Sequence, residues 1–378
     1  MSETEGEGQG LREAVVDLGA VTHNVRALRS AIGTRHLMAV VKANAYGHGA
    51  VPVARAALLG GADRLGVADL AEAHELRDAQ ITAPVLAWLH GPDADFERAL
   101  RADIEIGVSS LQQLQRVVDA AETTGRSGVV QLKLDTGLSR NGIAPDAWTP
   151  VMRAARAAEA AGLLRVVGIF SHLSGTSPDA DAEQADAFDR GLAEAAAAGL
   201  DPELVHLAAS GAALTLPRTR YDTVRTGIAI YGISPFSDRE PEEFGLRPVM
   251  TLRSRVVAVR RVENGQGVSY GHTYRANGPT NLALVPLGYA DGVPRQASGA
   301  GVVSIAGARY PVAGRVAMDQ IVIATGDRRV AVGDEVILFG DPATGAPSAE
   351  DWARAAGTIG YDIVTRLGGR VTRRYVGQ

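Results

Sequence analysis

The chain of 378 residues is too long for one typical hydrophobic core, so about two domains are expected. Its hydrophobic content of 46% and charged content of 21% are typical of a globular protein, and its net charge of −5 argues against nucleic acid or an anionic membrane as the main partner. The absence of cysteine excludes disulfides, thiolate metal sites and cysteine nucleophiles.

The start of the chain is acidic and rich in glycine, which predicts a disordered tail over residues 1–10. It has neither the basic region nor the apolar run of a secretory signal, and no run in the sequence is long and apolar enough to span a membrane. A cytoplasmic protein is therefore expected. A strand-like run at residues 14–18 comes next, and it could pair with the second domain rather than with its sequence neighbours.

Residues 11–244 alternate eight short apolar runs with patterns at helical spacing. Such β-then-α units in series predict a parallel (β/α)8 barrel of the TIM type with its helices outside. A doubly wound sheet is the alternative, but no GxGxxG motif opens a helix here. Ser109 and Ser110 are suited to cap the helix that follows them. The eight predicted strands cover residues 37–41, 64–68, 84–89, 104–108, 129–134, 166–170, 203–208 and 221–227.

Residues 245–378 have a different character, with short β-branched runs punctuated by glycine. This pattern predicts a second, mostly β domain. Ser348 and Asp351 have the spacing of a capping box, which predicts a late helix. The predicted strands of this domain cover residues 250–259, 280–286, 301–305, 315–323 and 335–339.

Lys42 directly follows the first of the eight strands and precedes small residues, Tyr46 and a Gly-His-Gly turn. The carboxyl end of a buried strand is where α/β barrels carry their chemistry. Partial burial lowers the pKa of a lysine and makes its neutral, nucleophilic amine accessible, as Schiff-base chemistry requires. The structural alternative is a strand-end lysine that extends its ammonium group to water.

Other predicted strands of the barrel also end in polar residues, namely Lys133 with Arg140, His172, Ser210 and Arg225. In a barrel these side chains converge on one face. Their chemistry suits an anionic, ring-containing ligand, because arginine can bond oxygens or a ring nitrogen and hydroxyl groups can bond phosphate. Taken singly, the histidine could be a core residue and each arginine part of a surface ion pair. Such a purely structural explanation would have to hold at the same end of five strands.

The sequence resembles the alanine racemase family from residue 14 to Tyr375. The resemblance implies a pyridoxal 5′-phosphate (PLP) enzyme that interconverts L-alanine and D-alanine and so supplies D-alanine, a cell-wall precursor. It also implies a homodimer, paired head to tail so that each active site uses both subunits. The matching motifs are KANAYGHG (42–49), KLDTGLSRNG (133–142), Ser171-His172, VRTGIAIYG (224–232), GVSYGHTY (267–274), PLGYADGVPR (286–295), GRVAMDQ (314–320) and GYDIVTRLGGR (360–370).

The resemblance implies two catalytic bases. Lys42 would hold PLP as an aldimine and transfer a proton on one face of the substrate Cα, and Tyr270 of the partner subunit would do so on the other face. Because an unperturbed tyrosine has a pKa near 10, cationic charge must lower the pKa of this phenol. Lys133 matches a lysine that is often carbamylated in the family, which would turn a like-charge neighbour of Arg140 into an anion.

The remaining site residues are assigned by the same resemblance, and no metal ion is implied. Arg225 would face the pyridine nitrogen, and since an arginine stays protonated it cannot give that nitrogen a proton. We infer that this favours reprotonation at Cα over transamination or decarboxylation. The cofactor would be held by Lys42, Tyr46, His172, Ser210, Arg225, Gly227, Ile228 and Tyr361; the substrate by Arg140, Met318 and Asp319; and the entrance would be lined by Tyr289, Arg295, Arg315 and Ile359.

Two departures from the family pattern bear on substrate range. After His172 the family usually has an aromatic residue, small residues and an acid, whereas residues 173–177 are LSGTS and place Ser177 at the acid's position. Ala209 replaces a usual asparagine. A racemase of serine or another small amino acid therefore remains an alternative, as does a non-catalytic homologue that binds PLP or cycloserine. A decarboxylase of this fold is disfavoured, because it would pair an acid with the pyridine nitrogen and use a partner cysteine.

Overall fold

The computed structural model describes residues 10–377, so the tail predicted for residues 1–10 lies, apart from Gly10, outside the described residues. The chain forms two compact units. One contains Thr22–Ala45 and Ala50–Ile230, and the other contains residues 10–21, Tyr46–Gly49 and residues 231–377. The limits predicted from the sequence, 11–244 and 245–378, stay predictions. No helix within residues 10–377 is long and apolar enough to cross a membrane.

The strands of both units are numbered here in chain order. They are β1 Glu13–Asp17, β2 His36–Val40, β3 Arg64–Val67, β4 Val85–Ala87, β5 Glu105–Val108, β6 Gly128–Lys133, β7 Leu164–Phe170, β8 Leu204–His206, β9 Thr223–Thr226, β10 Met250–Arg255, β11 Ala258–Val262, β12 Gly267–Val268, β13 Tyr274–Arg275, β14 Thr280–Val285, β15 Val302–Ile305, β16 Ala308–Pro311, β17 Ile321–Gly326, β18 Glu335–Phe339 and β19 Thr372–Val376.

The right-handed α-helices are numbered in the same way, and short 3-10 turns connect several of them to strands. They are α1 Leu18–Ile32, α2 Ala50–Leu59, α3 Leu70–Asp78, α4 Phe96–Arg101, α5 Leu111–Thr124, α6 Trp148–Ala160, α7 Pro178–Ala197, α8 Ser210–Thr215, α9 Ala349–Ala356 and α10 Gly360–Thr365.

The first unit is a nearly closed barrel of eight parallel strands. Its strand order is β8-β7-β6-β5-β4-β3-β2-β9, and the two ends of the sheet meet through one bridge between Ala209 and Arg225. Helices follow the strands, which confirms the predicted (β/α)8 barrel and excludes the doubly wound sheet. Strands covered on both faces are continuously apolar, which is why the eight runs were visible in the sequence.

The helices of the barrel begin and end where local chemistry requires. In α5 the Ser110 hydroxyl accepts a hydrogen bond from the backbone of Gln113, and Gly125 ends the helix in the left-handed conformation. Leu114, Val117 and Ala121 lie on its buried face, at the helical spacing of one stripe. The cap predicted at Ser110 is confirmed.

The second unit is mostly β. Its six-stranded sheet has the order β16-β15-β18-β10-β1-β19, so β1 pairs antiparallel with β10 and parallel with β19. Strands β11, β14 and β17 form a second sheet, and β12 pairs with β13. Ser348 and Asp351 cap α9 reciprocally, so the predicted capping box is confirmed.

Two strand predictions in this unit are wrong in part. The run 250–259 is broken after β10, and its second half enters another sheet as β11. The run 315–323 becomes a strand only from Ile321, because the preceding backbone bonds to another loop. Ala317 and Met318 accept hydrogen bonds from the N–H groups of Tyr289 and Ala290, at 3.0 and 2.9 Å. These bonds take the place of the strand-to-strand hydrogen bonds of a sheet, so residues 315–320 form a loop.

Candidate active site

The backbone after Lys42 makes a left-handed turn. Ala43, Asn44 and Ala45 have φ of 52–53° and ψ of 48–53°, a conformation that costs L-residues about 1–2 kcal/mol each. The Ala45 N–H donates to the Val41 carbonyl at 2.8 Å, and the Asn44 side-chain oxygen accepts from Ala50 at 2.8 Å. Strain of this kind, held by its surroundings, is characteristic of functional sites. It turns the chain sharply at the end of β2.

Glu72 is the main side-chain support of this turn. Its carboxylate accepts hydrogen bonds from the backbone N–H groups of Ala43 at 2.6 Å and Ala68 at 2.7 Å. Burial lowers the pKa of the Lys42 amine, nearby Arg140 lowers it further, and Glu72 raises it. The net effect is a lowered pKa, so the neutral amine is more accessible than in a lysine in water.

Arg225, at the carboxyl end of β9, is a buried hub of hydrogen bonds. Its guanidinium donates to the carbonyls of Ser171 at 2.7 Å, Leu207 at 2.9 Å and His206 at 3.1 Å. It also contacts Nδ1 of His206 at 2.8 Å and Nδ1 of His172 at 3.2 Å. Within residues 10–377 no carboxylate pairs with it. Burial lowers the pKa of Arg225 to about 10, so the group remains a cation at neutral pH.

His172 lies beside this cation and is neutral. Burial, and then the charges of Arg225 and Arg140, lower the pKa of His172 to about 3. Since the guanidinium can only donate, Nδ1 of His172 is the acceptor and the ring proton is on Nε2. Sequence reasoning placed His172 and Arg225 at the ends of two different strands, and the structure brings them together.

Lys133 ends β6 within the same cationic group. Burial, followed by Arg225 and Arg140, lowers the pKa of Lys133 to about 8. Its amine lies 5.9 Å from the centre of the Phe170 ring. A substantial fraction of this side chain is therefore neutral near physiological pH.

Arg140 is carried by the loop that follows β6. Asp135 orders this loop by accepting hydrogen bonds from the backbone of Gly137 at 3.1 Å and Ser139 at 3.0 Å. Ser139 has a positive φ of 56°, and the Arg140 side chain is exposed. The arginine is therefore presented by an ordered turn rather than by a strand.

Ser210 and Gly227 form a small donor cluster at the barrel face. The Ser210 hydroxyl, at the start of α8, accepts a hydrogen bond from the Gly227 N–H at 2.9 Å. Ile228 begins a 3-10 turn directly afterwards. Ala209 precedes α8 and its side chain makes no capping bond. The asparagine usual at this position would have been suited to cap the helix.

The second unit contains Tyr46 and Tyr361, whose ring centres lie 6.2 Å apart. Tyr46 also packs against Tyr231 at 4.8 Å. Burial raises the pKa of Tyr361 to about 12, and burial together with Tyr361 raises the pKa of Tyr46 further. Both phenols therefore stay protonated and can donate hydrogen bonds.

Tyr270 lies on a strained turn of the second unit and is 71% exposed. Ser269 and His272, on either side of it, have φ of 58° and 46°. The Ser269 hydroxyl donates to the Arg315 carbonyl at 2.7 Å, which ties this turn to the loop that contains Arg315. An exposed tyrosine held by strain at its neighbours is presented outward rather than packed as a strand aromatic.

The other residues assigned to the substrate and entrance lie on loops of the same unit. Tyr289 and Met318 are joined through backbone hydrogen bonds of their loops, and Arg370 bonds Asp319 at 2.7 Å. Arg370 also bonds the buried Asp291 at 2.9 Å. The exposed members of the set are Tyr289, Arg295, Arg315, Met318, Asp319 and Ile359.

Ser177 has a structural role where the family usually has an acid. Its hydroxyl accepts a hydrogen bond from the Ala180 N–H at 3.1 Å and caps α7. Asp181, in the first turn of α7, accepts from the Gly175 N–H at 2.9 Å and orders the preceding loop. An aspartate would also cap this helix, so the helix can begin here with either residue.

Sequence reasoning missed four polar residues of the barrel. Glu72 lies on a helix, where exposed acidic residues are common and do not by themselves indicate a functional site. Arg64, Glu105 and Gln131 lie inside predicted strands, and their polarity within otherwise apolar runs was the available signal.

Comparison with known proteins places the whole chain in one family. The model of the alanine racemase N-terminal domain matches residues 16–235, and that of the C-terminal domain matches residues 249–375. The alanine racemase of Thermobifida fusca is 49% identical over 97% of this chain and 98% of its own length. The alanine racemase of Mycolicibacterium smegmatis is 49% identical over 96% of this chain and 94% of its own length.

Solved structures give the same result. The alanine racemase from D-cycloserine-producing Streptomyces lavendulae superimposes with a TM-score of 0.96 at 49% identity, covering 98% of both chains. Alanine racemase from Streptomyces coelicolor A3(2) gives a TM-score of 0.95 at 47% identity, covering 97% of this chain and 98% of that one. The chain therefore belongs to the alanine racemase family.

Proposed function

We propose that this protein is a PLP-dependent racemase that interconverts L-alanine and D-alanine. The observation that carries the proposal is the cationic group at the barrel face, in which Lys42 has a lowered pKa and the buried Arg225 has no carboxylate partner among residues 10–377. Membership of the alanine racemase family, at about half identity with proteins of that name, supports the same substrate.

The donor set of the barrel fits PLP. Lys42 offers an amine for covalent attachment, and Arg225 offers a permanent cation for the pyridine nitrogen. The Ser210 hydroxyl, which accepts from the Gly227 N–H, can donate its own proton to the phosphate. The family resemblance adds the backbone N–H groups of Gly227 and Ile228. The family resemblance adds the phenols of Tyr46 and Tyr361 as phosphate donors and places His172 beside the ring. When bound, PLP withdraws electrons from the substrate Cα and so acidifies its proton.

Two bases would then move the proton. Lys42 is suited to one face, because burial and Arg140 lower its pKa and leave more of the neutral amine. Tyr270 of the partner subunit would serve the other face. His172 carries its proton on Nε2, and this N–H would donate to the phenolate form of that tyrosine and stabilise it. Arg225, donating to Nδ1, holds the His172 ring in this tautomer.

Arg225 also determines which reaction follows. A guanidinium with a pKa of about 10 keeps its protons at neutral pH and does not protonate a ring nitrogen. With Arg225 beside the ring nitrogen, electron withdrawal by bound PLP would be moderate, which would favour prompt return of the proton to Cα. Racemisation is thereby favoured over transamination or decarboxylation.

Substrate contacts are assigned to Arg140 of the barrel and to Met318 and Asp319 of the partner subunit. We also propose that Lys133 is carbamylated, because its pKa of about 8 leaves neutral amine to react with carbon dioxide. The product would be an anion near two cations, Arg140 and Arg225. The assignment is tested by 13C NMR of protein kept in 13C-bicarbonate. We expect a carbamate carbon resonance that is absent in Lys133→Met.

A shared active site makes a quantitative prediction for mixed dimers. Lys42→Ala and Tyr270→Phe should each abolish most activity, but a dimer with one of each has one site with both bases intact. Unfolding and refolding an equimolar mixture should restore about a quarter of the wild-type activity, because half of the dimers are mixed and each has one of two sites. If size-exclusion chromatography shows that dimers have reformed but no activity returns, the sharing of bases between subunits is refuted.

The function itself is tested by converting L-alanine with the purified protein and detecting D-alanine with a D-amino-acid oxidase. We expect alanine to be racemised much faster than serine. Faster turnover of serine would favour the alternative raised by residues 173–177 and Ala209. Bound PLP without any D-amino acid product would identify a non-catalytic binding protein.

A further inference from the structure

A continuous chain of buried side chains crosses the interior of the barrel below Arg225. The guanidinium contacts Nδ1 of His206 at 2.8 Å, and Nε2 of His206 contacts the side-chain oxygen of Gln131 at 2.6 Å. The Gln131 amide nitrogen donates to Glu105 at 2.5 Å, and Arg64 pairs with the other Glu105 oxygen. His206 and Gln131 are fully buried.

Neighbouring residues of the barrel leave room for this chain of side chains and pack against it. A Cβ atom on Gly168 would lie 2.6 Å from the side-chain oxygen of Gln131, so only glycine leaves room for the amide. Phe170 stacks on the His206 ring, with centres 4.8 Å apart and planes within 2°. Burial, and then Arg225 and Arg64, lower the pKa of His206 well below its usual value, so the ring is neutral.

The two charged ends give the chain one direction. The Glu105 carboxylate can only accept, so it binds the NH2 side of Gln131 and points the amide oxygen at His206. That oxygen can only accept, so Nε2 of His206 has the proton. Nδ1 is then free to accept from Arg225, which can only donate. Every donor in the chain therefore points from Arg225 towards Glu105.

We propose that Glu105 and Gln131 are positioning residues that fix the tautomer of His206 and thereby the orientation of Arg225. With an amide at position 105 the NH2 side of Gln131 is no longer held by a carboxylate, and only Arg225 still sets the direction. In a fraction of the molecules Gln131 can then turn its NH2 group to His206. His206 would then have its proton on Nδ1, facing the N–H groups of Arg225. Two donors repel, and the guanidinium would move. The catalytic consequence rests on the proposed function of Arg225 towards the cofactor ring.

The tautomer is measured directly in the holoenzyme. In protein labelled with 15N-histidine, the Nε2 and Nδ1 resonances of His206, assigned by their loss in His206→Asn, distinguish a protonated from an unprotonated nitrogen. We expect protonated Nε2 in the wild type and in Val130→Ala, a matched core substitution one residue from Gln131. We expect Glu105→Gln to give protonated Nδ1 or a mixture. Unchanged wild-type resonances in Glu105→Gln would overturn the proposal.

Gln131→Met is a second variant that removes the acceptor of the His206 proton while keeping side-chain length. Its His206 Nε2 proton should exchange with water at least tenfold faster than in Val130→Ala, and an unchanged exchange rate would also overturn the proposal. Kinetics complete the test. A misplaced catalytic group costs about tenfold or more, so kcat should fall about tenfold in Glu105→Gln with KM for alanine within about twofold.

The two failures are distinguishable. The histidine resonances do not depend on what the enzyme converts, so an inactive protein with the predicted tautomers would refute only the proposed function. Wild-type kcat in Glu105→Gln, with altered tautomers, would refute the link from the chain to catalysis. Loss of activity in Val130→Ala equal to that in Glu105→Gln would attribute the effect to core stability and overturn the positioning assignment.

Discussion

Replacing Glu72 with glutamine tests whether one carboxylate holds the strained turn after Lys42. Its two oxygens bind the backbone N–H groups of Ala43 at 2.6 Å and Ala68 at 2.7 Å. Four consecutive residues with positive φ, Ala43 to Tyr46, cost about 4–8 kcal/mol. A hydrogen bond to an ionised group contributes about 1.5–3 kcal/mol, so the two bonds offset much of the strain.

In Glu72→Gln an NH2 group would face one of the two N–H donors. We therefore expect the free energy of unfolding to fall by about 2–3 kcal/mol, the contribution of one charge-assisted bond and an unsatisfied donor. Glu75→Gln is the matched control, because it removes the same charge from an exposed position of the same helix. Its effect should stay within about 0.5 kcal/mol in denaturant titrations of both variants.

The same substitution should change the pH dependence of Lys42. Glu72 raises the pKa of this amine, against burial and Arg140. Its removal lowers the pKa further, so the neutral amine predominates at a lower pH. The rate at which PLP attaches to the cofactor-free chain should then reach its plateau at lower pH in Glu72→Gln than in Glu75→Gln. Equal unfolding free energies and superimposable rate profiles for the two variants would refute the role of Glu72.

Three further predictions concern the barrel core and the substrate loops. Gly168→Ala places a Cβ 2.6 Å from the Gln131 oxygen, so unfolding free energy should fall by about 1–3 kcal/mol in denaturant titration. Arg370→Met removes the bonds to Asp319 and Asp291, which should loosen the loop that contains Met318 and Asp319 and raise KM for alanine with little change in kcat. His206 stays neutral in the folded protein but binds a proton in the unfolded chain as the pH falls below its ordinary pKa. The free energy of unfolding of the wild type should therefore fall between pH 7 and pH 5.5 by about 1 kcal/mol more than that of His206→Asn.

The barrel was predictable because its architecture repeats one simple pattern. Strands covered on both faces are short apolar runs, and eight of them separated by helical spacing leave few alternatives. The ends of those strands then indicated where chemistry could gather. His172 and Arg225, which lie 53 residues apart in sequence, are joined at 3.2 Å for this reason.

What the sequence could not reveal depends on tertiary hydrogen bonds. The left-handed turn at Ala43–Ala45 contains no glycine, so nothing local predicts positive φ, and the supporting Glu72 lies 29 residues from Ala43. The run 315–323 has the composition of a strand, but its first half bonds to the loop at residues 288–291. Local propensity was overridden in both cases by partners distant in sequence.

The buried chain below Arg225 was hidden for a related reason. Glu105 is the single polar residue of its apolar run, and Gln131 is one of two in its own, with Lys133. Such residues are identified as partners only when the strands are placed side by side. Strands β5 and β6 are neighbours, which brings the amide to the carboxylate. Charge explains why the chain is needed. Arg140 is also cationic, and a buried Arg225 near it would be unstable without acceptors on every side. Carbonyl groups and a histidine of fixed tautomer supply those acceptors without neutralising the cation, which leaves its charge available to an anionic cofactor.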